Sequence, residues 1–187
     1  MAKYNRASAR ARAVVKVWNN ATGRGDPHLG AVLASEEALA AAGKIRKVLA
    51  ACGGADGFSR EDLQTRFEHF YAECQEIIPG AGAALENEDM QAFAGHVDRS
   101  QELTDTLLGN QVPETIFLAA SARRCGALTA SAFGAGFGGT VWALVAADKV
   151  DSMLEQWRQE YRRNFAEASR RSAFFQGWAG PAAFELT

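Results

Sequence analysis

Apolar residues recur every three or four positions near the N terminus, which is the spacing of one face of an α-helix. The basic residues Arg6, Arg10 and Lys16 lie away from the centre of this stripe. The stripe consists of Tyr4, Ala7, Ala11, Val14, Val15 and Trp18. We therefore predict a first helix that buries the stripe, followed by a turn-rich segment at residues 19–28.

Further helices are predicted in the first two-thirds of the chain. Ser59 and Asp62 have the spacing of a capping box and mark a helix start. Pro79 cannot donate the next backbone hydrogen bond and is expected to end or kink that helix. Gly109 is placed to end the following helix, and Pro113 suits the first turn of the next one. The predicted helices cover about residues 35–51, 59–79, 87–108 and 113–125.

The pattern changes to that of β-strands near residue 128. Residues 128–133 alternate small apolar with polar side chains, and residues 140–147 form a near-continuous β-favouring run. A long amphipathic helix is predicted at about residues 150–165, and short strands at 172–178 and 182–186. This order predicts an α+β fold in which helices pack on a small, mostly antiparallel sheet.

Composition and charge narrow the function classes. Hydrophobic residues make up 48% of the chain and charged residues 22%, which is typical of a folded globular protein. The 20 basic and 22 acidic residues give a net charge of −2, so nothing indicates nucleic acid or an anionic membrane as a partner. No apolar run approaches the roughly 18 residues of a membrane span. Three widely spaced cysteines favour a reducing, cytoplasmic location over disulfides or a zinc site.

The glycine-rich segment at residues 134–139, Gly-Ala-Gly-Phe-Gly-Gly, is the densest candidate for ligand chemistry. Glycine admits positive φ angles and lets backbone N–H groups approach an anion. The segment lacks the Gly-Lys-Ser/Thr end of a P-loop, and a strand rather than a helix is predicted after it, unlike a dinucleotide-binding fingerprint. From spacing alone, it is either a tight connection between strands or an anion-binding loop.

Two other clusters have an ordinary structural explanation. His69 and Glu73 lie one helical turn apart, as metal ligands do, but no third ligand is evident, so we expect a solvated helix face. Arg123 and Arg124 have the charge to neutralise a phosphate, but their place at a helix C terminus also explains them.

Four segments, taken in order, carry a resemblance to a known family. Residues 133–145 read FGAGFGGTVWALV, and residues 108–114 read LGNQVPE before a predicted helix. Residues 88–93 read EDMQAF, and Tyr4-Asn5 stands at the start of an arginine-rich helix. From residue 4 to about residue 165, the chain resembles the galactokinase branch of the GHMP kinase superfamily, whose third signature motif is similar to the glycine-rich segment.

Three positions depart from the galactokinase pattern. Galactokinases commonly carry a basic residue and a small hydroxyl residue where this chain has Ser131 and Phe133. Thr140 replaces a cysteine that often follows the double glycine. These differences bear on which sugar is bound and leave the resemblance to the superfamily in place.

The resemblance implies that residues 1–187 are a single C-terminal domain of the GHMP kinase type, with a ferredoxin-like arrangement. Its helical part would span about residues 4–125 and its strand-containing part about residues 126–187. It implies the C-terminal lobe of an ATP-dependent kinase that phosphorylates a monosaccharide hydroxyl, such as one of galactose. The partners are then the sugar, ATP and an N-terminal kinase lobe in cis or in trans.

The resemblance also implies site residues. Tyr4 matches a tyrosine that contacts the sugar, although it also fits the apolar stripe of the first helix. The active-site glycine loop would comprise Gly134, Ala135, Gly136, Phe137, Gly138 and Gly139. No catalytic residue and no metal ligand are expected in this chain, because the superfamily binds ATP and Mg²⁺ mainly through its N-terminal lobe.

The N-terminal motifs of the family do not occur in the sequence. These are the Gly-Leu-Ser-Ser-Ser phosphate loop, the catalytic aspartate region and the sugar-binding motif. We therefore expect the chain alone to be inactive, as a shortened form, one half of a split gene or a remnant. Two alternatives stay open: a binding or regulatory module that has lost catalysis, and a GHMP kinase for another substrate such as mevalonate.

Overall fold

The computed structural model describes residues 2–34, 38–178 and 180, with side chains from residue 5 onward. Helices dominate these ranges, and two strands follow the seventh helix. The α-helices are α1 (Ala2–Thr22), α2 (Leu29–Ala34), α3 (Ala38–Ala51), α4 (Arg60–Tyr71), α5 (Ile78–Glu86), α6 (Met90–Leu103), α7 (Pro113–Arg124), α8 (Val150–Asn164) and α9 (Ala166–Ser169). The strands are β1 (Thr129–Phe133) and β2 (Thr140–Leu144).

The first four helices enclose one hydrophobic core. α1 packs against α2, α3 and α4, and Val14, Val15 and Trp18 of its predicted apolar stripe are buried between them, with Ala11 partly buried. The largest fully buried side chains of this core are Phe67, Ile45, Leu49, Leu63, Val14 and Val32. Helical periodicity alone therefore predicted the buried face of α1, because every third or fourth side chain points the same way.

The start of α4 follows the predicted capping box. The Ser59 hydroxyl accepts a hydrogen bond from the Asp62 N–H at 3.1 Å, and the Asp62 carboxylate accepts one from the Ser59 N–H at 3.2 Å. The two interactions satisfy backbone donors that a helix start leaves without internal partners.

Of the two outcomes predicted at Pro79, an end of the helix is wrong, because the chain stays helical through Glu86. A π-helical segment, Ala72–Ile77, joins α4 to α5 directly before this proline. There the Ile78 N–H donates to the Glu73 carbonyl five residues back. The wider turn shifts the hydrogen-bond register where Pro79 lacks a donor and would clash with the carbonyl four residues earlier.

The helix after Asp89 ends as the sequence predicts. α6 continues into a second π-helical segment, Thr104–Leu108, which Gly109 terminates in the left-handed conformation with a φ of 69°. Pro113 then occupies the first turn of α7. Glycine carries no steric cost at the left-handed position, and proline needs no hydrogen-bond acceptor in a first turn.

β1 and β2 form an antiparallel hairpin whose register runs from Thr129 opposite Leu144 to Phe133 opposite Thr140. α6 and α7 pack against β1, and α7 also contacts β2 and α8. A second core lies between these elements, with Ala122, Ala130, Met153 and Trp157 among its buried members. The Trp157 indole N–H donates to Leu118 O and Ser121 Oγ, both at 3.1 Å, so the ring is fixed at its polar end.

The strand predicted at residues 172–178 is absent, since this segment has no regular secondary structure. Phe174 packs edge-on against Trp157 with ring centroids 5.1 Å apart, and also contacts Tyr161. The aromatic side chain therefore holds the segment, and no described strand pairs with its backbone. The strand predicted at residues 182–186 lies outside the described residues.

The fold is α+β, as predicted: a mostly helical chain with one small antiparallel sheet in the described part. No helix in the described part is long and apolar enough to cross a membrane.

Candidate functional site

The glycine-rich segment forms the turn of the hairpin. Phe133 pairs with Thr140, so the six residues between them connect β1 to β2 without sheet hydrogen bonds of their own. Five of the six adopt positive φ angles, which are 87° at Gly134, 81° at Gly136, 60° at Phe137, 111° at Gly138 and 108° at Gly139. Side chains other than hydrogen are disfavoured at such angles, which explains why four of these positions are glycine.

Gly136 is also required by a close approach to Asn110. A Cβ atom added at Gly136 would overlap the Asn110 carbonyl oxygen and its side-chain amide. At Gly138 and Gly139, by contrast, an added Cβ would meet nothing within 4 Å. The turn therefore packs closely on Asn110 at Gly136 and is open at the double glycine.

Backbone and side chain of Asn110 both hold the turn. The Phe137 N–H donates to the Asn110 carbonyl at 2.5 Å, and the Asn110 Nδ2 donates to the Ala135 carbonyl at 3.2 Å. Phe137 is not a glycine yet has a φ of 60°, a conformation that persists when surrounding contacts fix it. These two bonds supply such contacts.

Asn110 is itself held by the start of α7. Its Oδ1 accepts from Gln111 Nε2 at 3.0 Å, and Gln111 Oε1 accepts from the buried Thr115 hydroxyl at 2.8 Å. The Thr115 oxygen also accepts from the Val112 N–H at 3.2 Å. This chain of hydrogen bonds runs from the first turn of α7 to the glycine turn. Sequence reasoning singled out residues 108–114 only by resemblance and gave Asn110 no role.

The strand leading into the turn is fixed from α6. The buried Gln101 accepts from the Ala132 N–H at 2.7 Å and from the Ser131 hydroxyl at 3.1 Å, both through Oε1. Arg123 donates to Asp98 on α6 and to the Ala130 carbonyl of β1 at 2.7 Å. Arg123 therefore joins α7 to β1 and α6, and these contacts explain its position without a phosphate ligand.

A cleft of ≈ 420 Å³ opens beside the glycine turn. Its walls are the start of α1, the connection between α6 and α7, and Phe137. The lining residues are Arg6, Ala7, Arg10, Leu108, Gly109, Asn110, Gln111, Val112 and Phe137. The turn and the arginine-rich helix start, which are far apart in sequence, thus face one space.

Arg10 is buried, whereas the sequence pattern placed it away from the centre of the apolar stripe. It is 6% exposed, and its Nη2 donates to the Leu108 carbonyl at 2.5 Å. Burial lowers the pKa of Arg10, and the neighbouring Arg6 lowers it further, while Asp62 acts in the opposite direction. The spacing of the sequence indicates this burial, because Arg10 follows Ala7 by three residues and precedes Val14 by four, on one helix face.

His69 is also buried, at 7% exposure, so the prediction of a solvated helix face is wrong for this residue. Arg66 Nη1 lies 3.2 Å from His69 Nδ1, and Arg66 Nε donates to the Ala7 carbonyl at 3.1 Å. Burial, together with the charges of Arg66 and Arg10, lowers the pKa of His69 to about 4. At neutral pH this imidazole is uncharged beside two guanidinium groups.

Tyr4, the predicted sugar contact, belongs to α1 by its backbone, but its side chain lies outside the described residues. In the described part of the chain, no group of three or more His, Cys, Asp or Glu side chains is arranged to hold a metal ion.

Comparison with known proteins gives a structural match for the fold and a family match for part of the sequence. The family model described as GHMP kinases C terminal matches residues 82–163. The crystal structure of Lactococcus lactis galactokinase complexed with galactose superposes with a TM-score of 0.70 at 23% sequence identity. The alignment covers 89% of this chain and 39% of that galactokinase, so the chain spans about two-fifths of its length. No curated protein matches the sequence.

The matched residues include α6, α7, both strands, the glycine turn and most of α8. Residues 82–163 thus match the GHMP kinase C-terminal model, and the chain has a galactokinase-like fold.

Proposed function

We propose that this chain is the C-terminal lobe of an ATP-dependent, galactokinase-like sugar kinase. The whole of residues 1–187 acts as one domain in this proposal, with a helical part at about 4–125 and a strand-containing part at about 126–187. The protein transfers a phosphoryl group from ATP to a monosaccharide hydroxyl in the cytoplasm. It does so only with an N-terminal kinase lobe, in cis or in trans, and the isolated chain is inactive.

The observation that carries the proposal is the glycine turn held rigidly beside an open cleft. Its double glycine is unobstructed, while Gly136 and Phe137 are fixed to Asn110. A phosphoryl-transfer enzyme works mainly by positioning its reactants, so a fixed and sterically open backbone suits the floor of such a site. In this role Gly134–Gly139 shape the site, and no residue of this chain acts as a catalytic acid or base.

The other lobe supplies the remaining parts of the reaction in this proposal. ATP and Mg²⁺ bind mainly there, together with the group that orients or deprotonates the sugar hydroxyl. Tyr4 contributes from this chain, with its phenol hydrogen-bonded to a sugar hydroxyl. Galactose is the first sugar to test, because the galactokinase that shares this fold is complexed with it.

The test compares the 187-residue chain with the product of its whole reading frame. Sugar-dependent ADP release is measured for both with galactose, other monosaccharides and mevalonate, and thermal shifts are recorded with the same compounds. We expect no turnover by the chain alone, and turnover by any form that carries an N-terminal lobe. Robust turnover by the isolated chain would show that a second lobe is not needed.

A second candidate is a binding module of the same fold without catalysis. It is favoured by Ser131, which stands where galactokinases commonly have a basic residue and donates its hydroxyl to Gln101. Compounds that raise the thermal stability of the complete protein without any ADP release would support this candidate over the kinase.

A further inference from the structure

The cleft beside the glycine turn is bordered by an excess of positive charge. Three arginines lie together where α1 packs on α4: Arg6, Arg10 and Arg66. Their positive charges repel one another, so Arg6 lowers the pKa of Arg10, and Arg10 lowers the pKa of Arg66. Asp62 is the carboxylate that faces them, 3.0 Å from Arg6 Nη2 and 4.0 Å from Arg10 Nη1. Among the described residues, no carboxylate forms an ion pair with Arg66.

Asp62 is shared among several donors. It accepts hydrogen bonds from the Ser59 N–H and hydroxyl, as well as from Arg6. Its single negative charge is therefore set against three guanidinium groups, and His69 is neutral. A cluster of like charges in a partly buried place is unfavourable unless an anion completes it.

Two donors in this cluster lack partners. Arg10 Nε and His69 Nε2 are buried and form no hydrogen bond in the described part of the chain. Both residues are more than nine-tenths buried, where an unsatisfied polar group is costly. Of these two residues only Arg10 lines the cleft, so an anion in the cleft would lie against its guanidinium group.

We propose that the cleft between α1 and the glycine turn binds an oxyanion, with Arg10 and Arg6 as its cationic ligands. Arg10 is rigid, since Leu108 O fixes its Nη2 and the α1–α4 packing encloses its side chain. Arg6 is more accessible, with its side chain 56% exposed. Arg66 lies behind Arg10 and adds positive charge without lining the cleft, and the uncharged His69 contacts Arg66.

The ligand chemistry is that of a carboxylate or a phosphate group, because guanidinium groups pair with both through charge-assisted hydrogen bonds. A ligand that carries such a group would place it against Arg10 and its uncharged part against Phe137 and Val112. This site would give the chain its own means of recognising an anionic group.

The experiment titrates the 187-residue chain with sodium phosphate, sodium sulfate or sodium acetate, without nucleotide, at ionic strength held constant with NaCl. Thermal unfolding reports binding, because a ligand of the folded state raises the midpoint. We expect a saturable rise with at least one oxyanion and none with chloride. A larger effect of phosphate and sulfate would indicate a phosphate group, and a larger effect of acetate a carboxylate.

Three variants make the test specific. Arg6→Gln is expected to weaken binding about tenfold, the loss typical of one charge-assisted hydrogen bond, and Arg10→Gln is expected to abolish it. Arg12→Gln is the matched control, since Arg12 lies exposed on the same helix and bonds to Ser8 instead of lining the cleft. If Arg10→Gln does not fold, the comparison of anion affinity between Arg6→Gln and Arg12→Gln still tests the proposal.

The proposal is overturned by the absence of a saturable rise with every oxyanion, or by equal losses in Arg6→Gln and Arg12→Gln. The titration requires neither ATP nor turnover, so its failure would leave the proposed kinase function untouched. Conversely, an inactive kinase would leave the anion site standing.

Discussion

The buried, uncharged His69 should make the folded protein less stable as the pH falls below 6.5. The pKa of this histidine falls from 6.5 to about 4 on folding, since burial and then the charges of Arg66 and Arg10 disfavour the imidazolium. Between these two pH values the unfolded chain binds a proton that the folded chain does not. The free energy of unfolding therefore falls as the pH is lowered from 6.5 towards 4, and above 6.5 this contribution is complete.

The magnitude follows from the two pKa values. A change of one pKa unit corresponds to about 1.4 kcal/mol, so the drop from 6.5 to about 4 gives about 3 kcal/mol. That is a sizeable share of the roughly 5–15 kcal/mol that stabilises an ordinary domain. Other groups titrate in the same range, so the effect of His69 must be isolated by difference.

The assay is urea unfolding at several pH values between 7 and 4.5, on the natural sequence and on His69→Gln. The variant loses the titrating group, and its unfolding free energy should depend less steeply on pH, by up to about 3 kcal/mol over the full interval. His28→Gln is the control, because it removes an exposed histidine far from Arg10 in sequence. Equal pH dependence in His69→Gln and the natural sequence would refute the reasoning.

Two further predictions concern the glycine turn and the second core. Gly136→Ala and Gly138→Ala both place a side chain at a positive φ, but only Gly136→Ala adds a clash with Asn110. We therefore expect Gly136→Ala to lower the free energy of unfolding by about 1–3 kcal/mol more than Gly138→Ala does. Equal losses in urea unfolding would contradict the close packing of the turn on Asn110. Trp157→Phe removes a donor bonded to two acceptors on α7 and should cost about 1–3 kcal/mol, whereas Trp178→Phe, at a site 78% exposed, should change the stability by less than about 0.5 kcal/mol.

Local rules were sufficient for much of the fold. The capping box at Ser59, the glycine stop at Gly109 and the proline start at Pro113 each depend on a few neighbouring residues, and the structure contains all three. The hairpin around the glycine turn was likewise predicted from β-favouring runs on either side of residues 134–139. Such features are readable because the interactions that create them are short in sequence.

Tertiary contacts account for what the sequence did not predict. The helix continues through Pro79 because a π-helical turn precedes it. The change in hydrogen-bond register at that turn cannot be recognised from the pattern of apolar and polar residues. Residues 172–178 carry aromatic residues suited to a strand, yet Phe174 is held by ring contacts with Trp157 instead. Arg10 and His69 are polar residues whose burial depends on α1 meeting α4, a helix that is distant in sequence.

The candidate site depends on the same kind of long-range meeting. The segment from Leu108 to Asn110 presents two carbonyl groups in different directions: Leu108 O accepts from Arg10, and Asn110 O accepts from the Phe137 N–H, each at 2.5 Å. Gly109 makes this possible, since its left-handed conformation turns the chain between them. One short connection thus fixes both the buried arginine of α1 and the glycine turn of the hairpin. A ligand in the cleft would contact Arg10 on one side and the glycine turn on the other. Because residues 108–110 hydrogen-bond to both, binding at the arginines is coupled to the position of the turn.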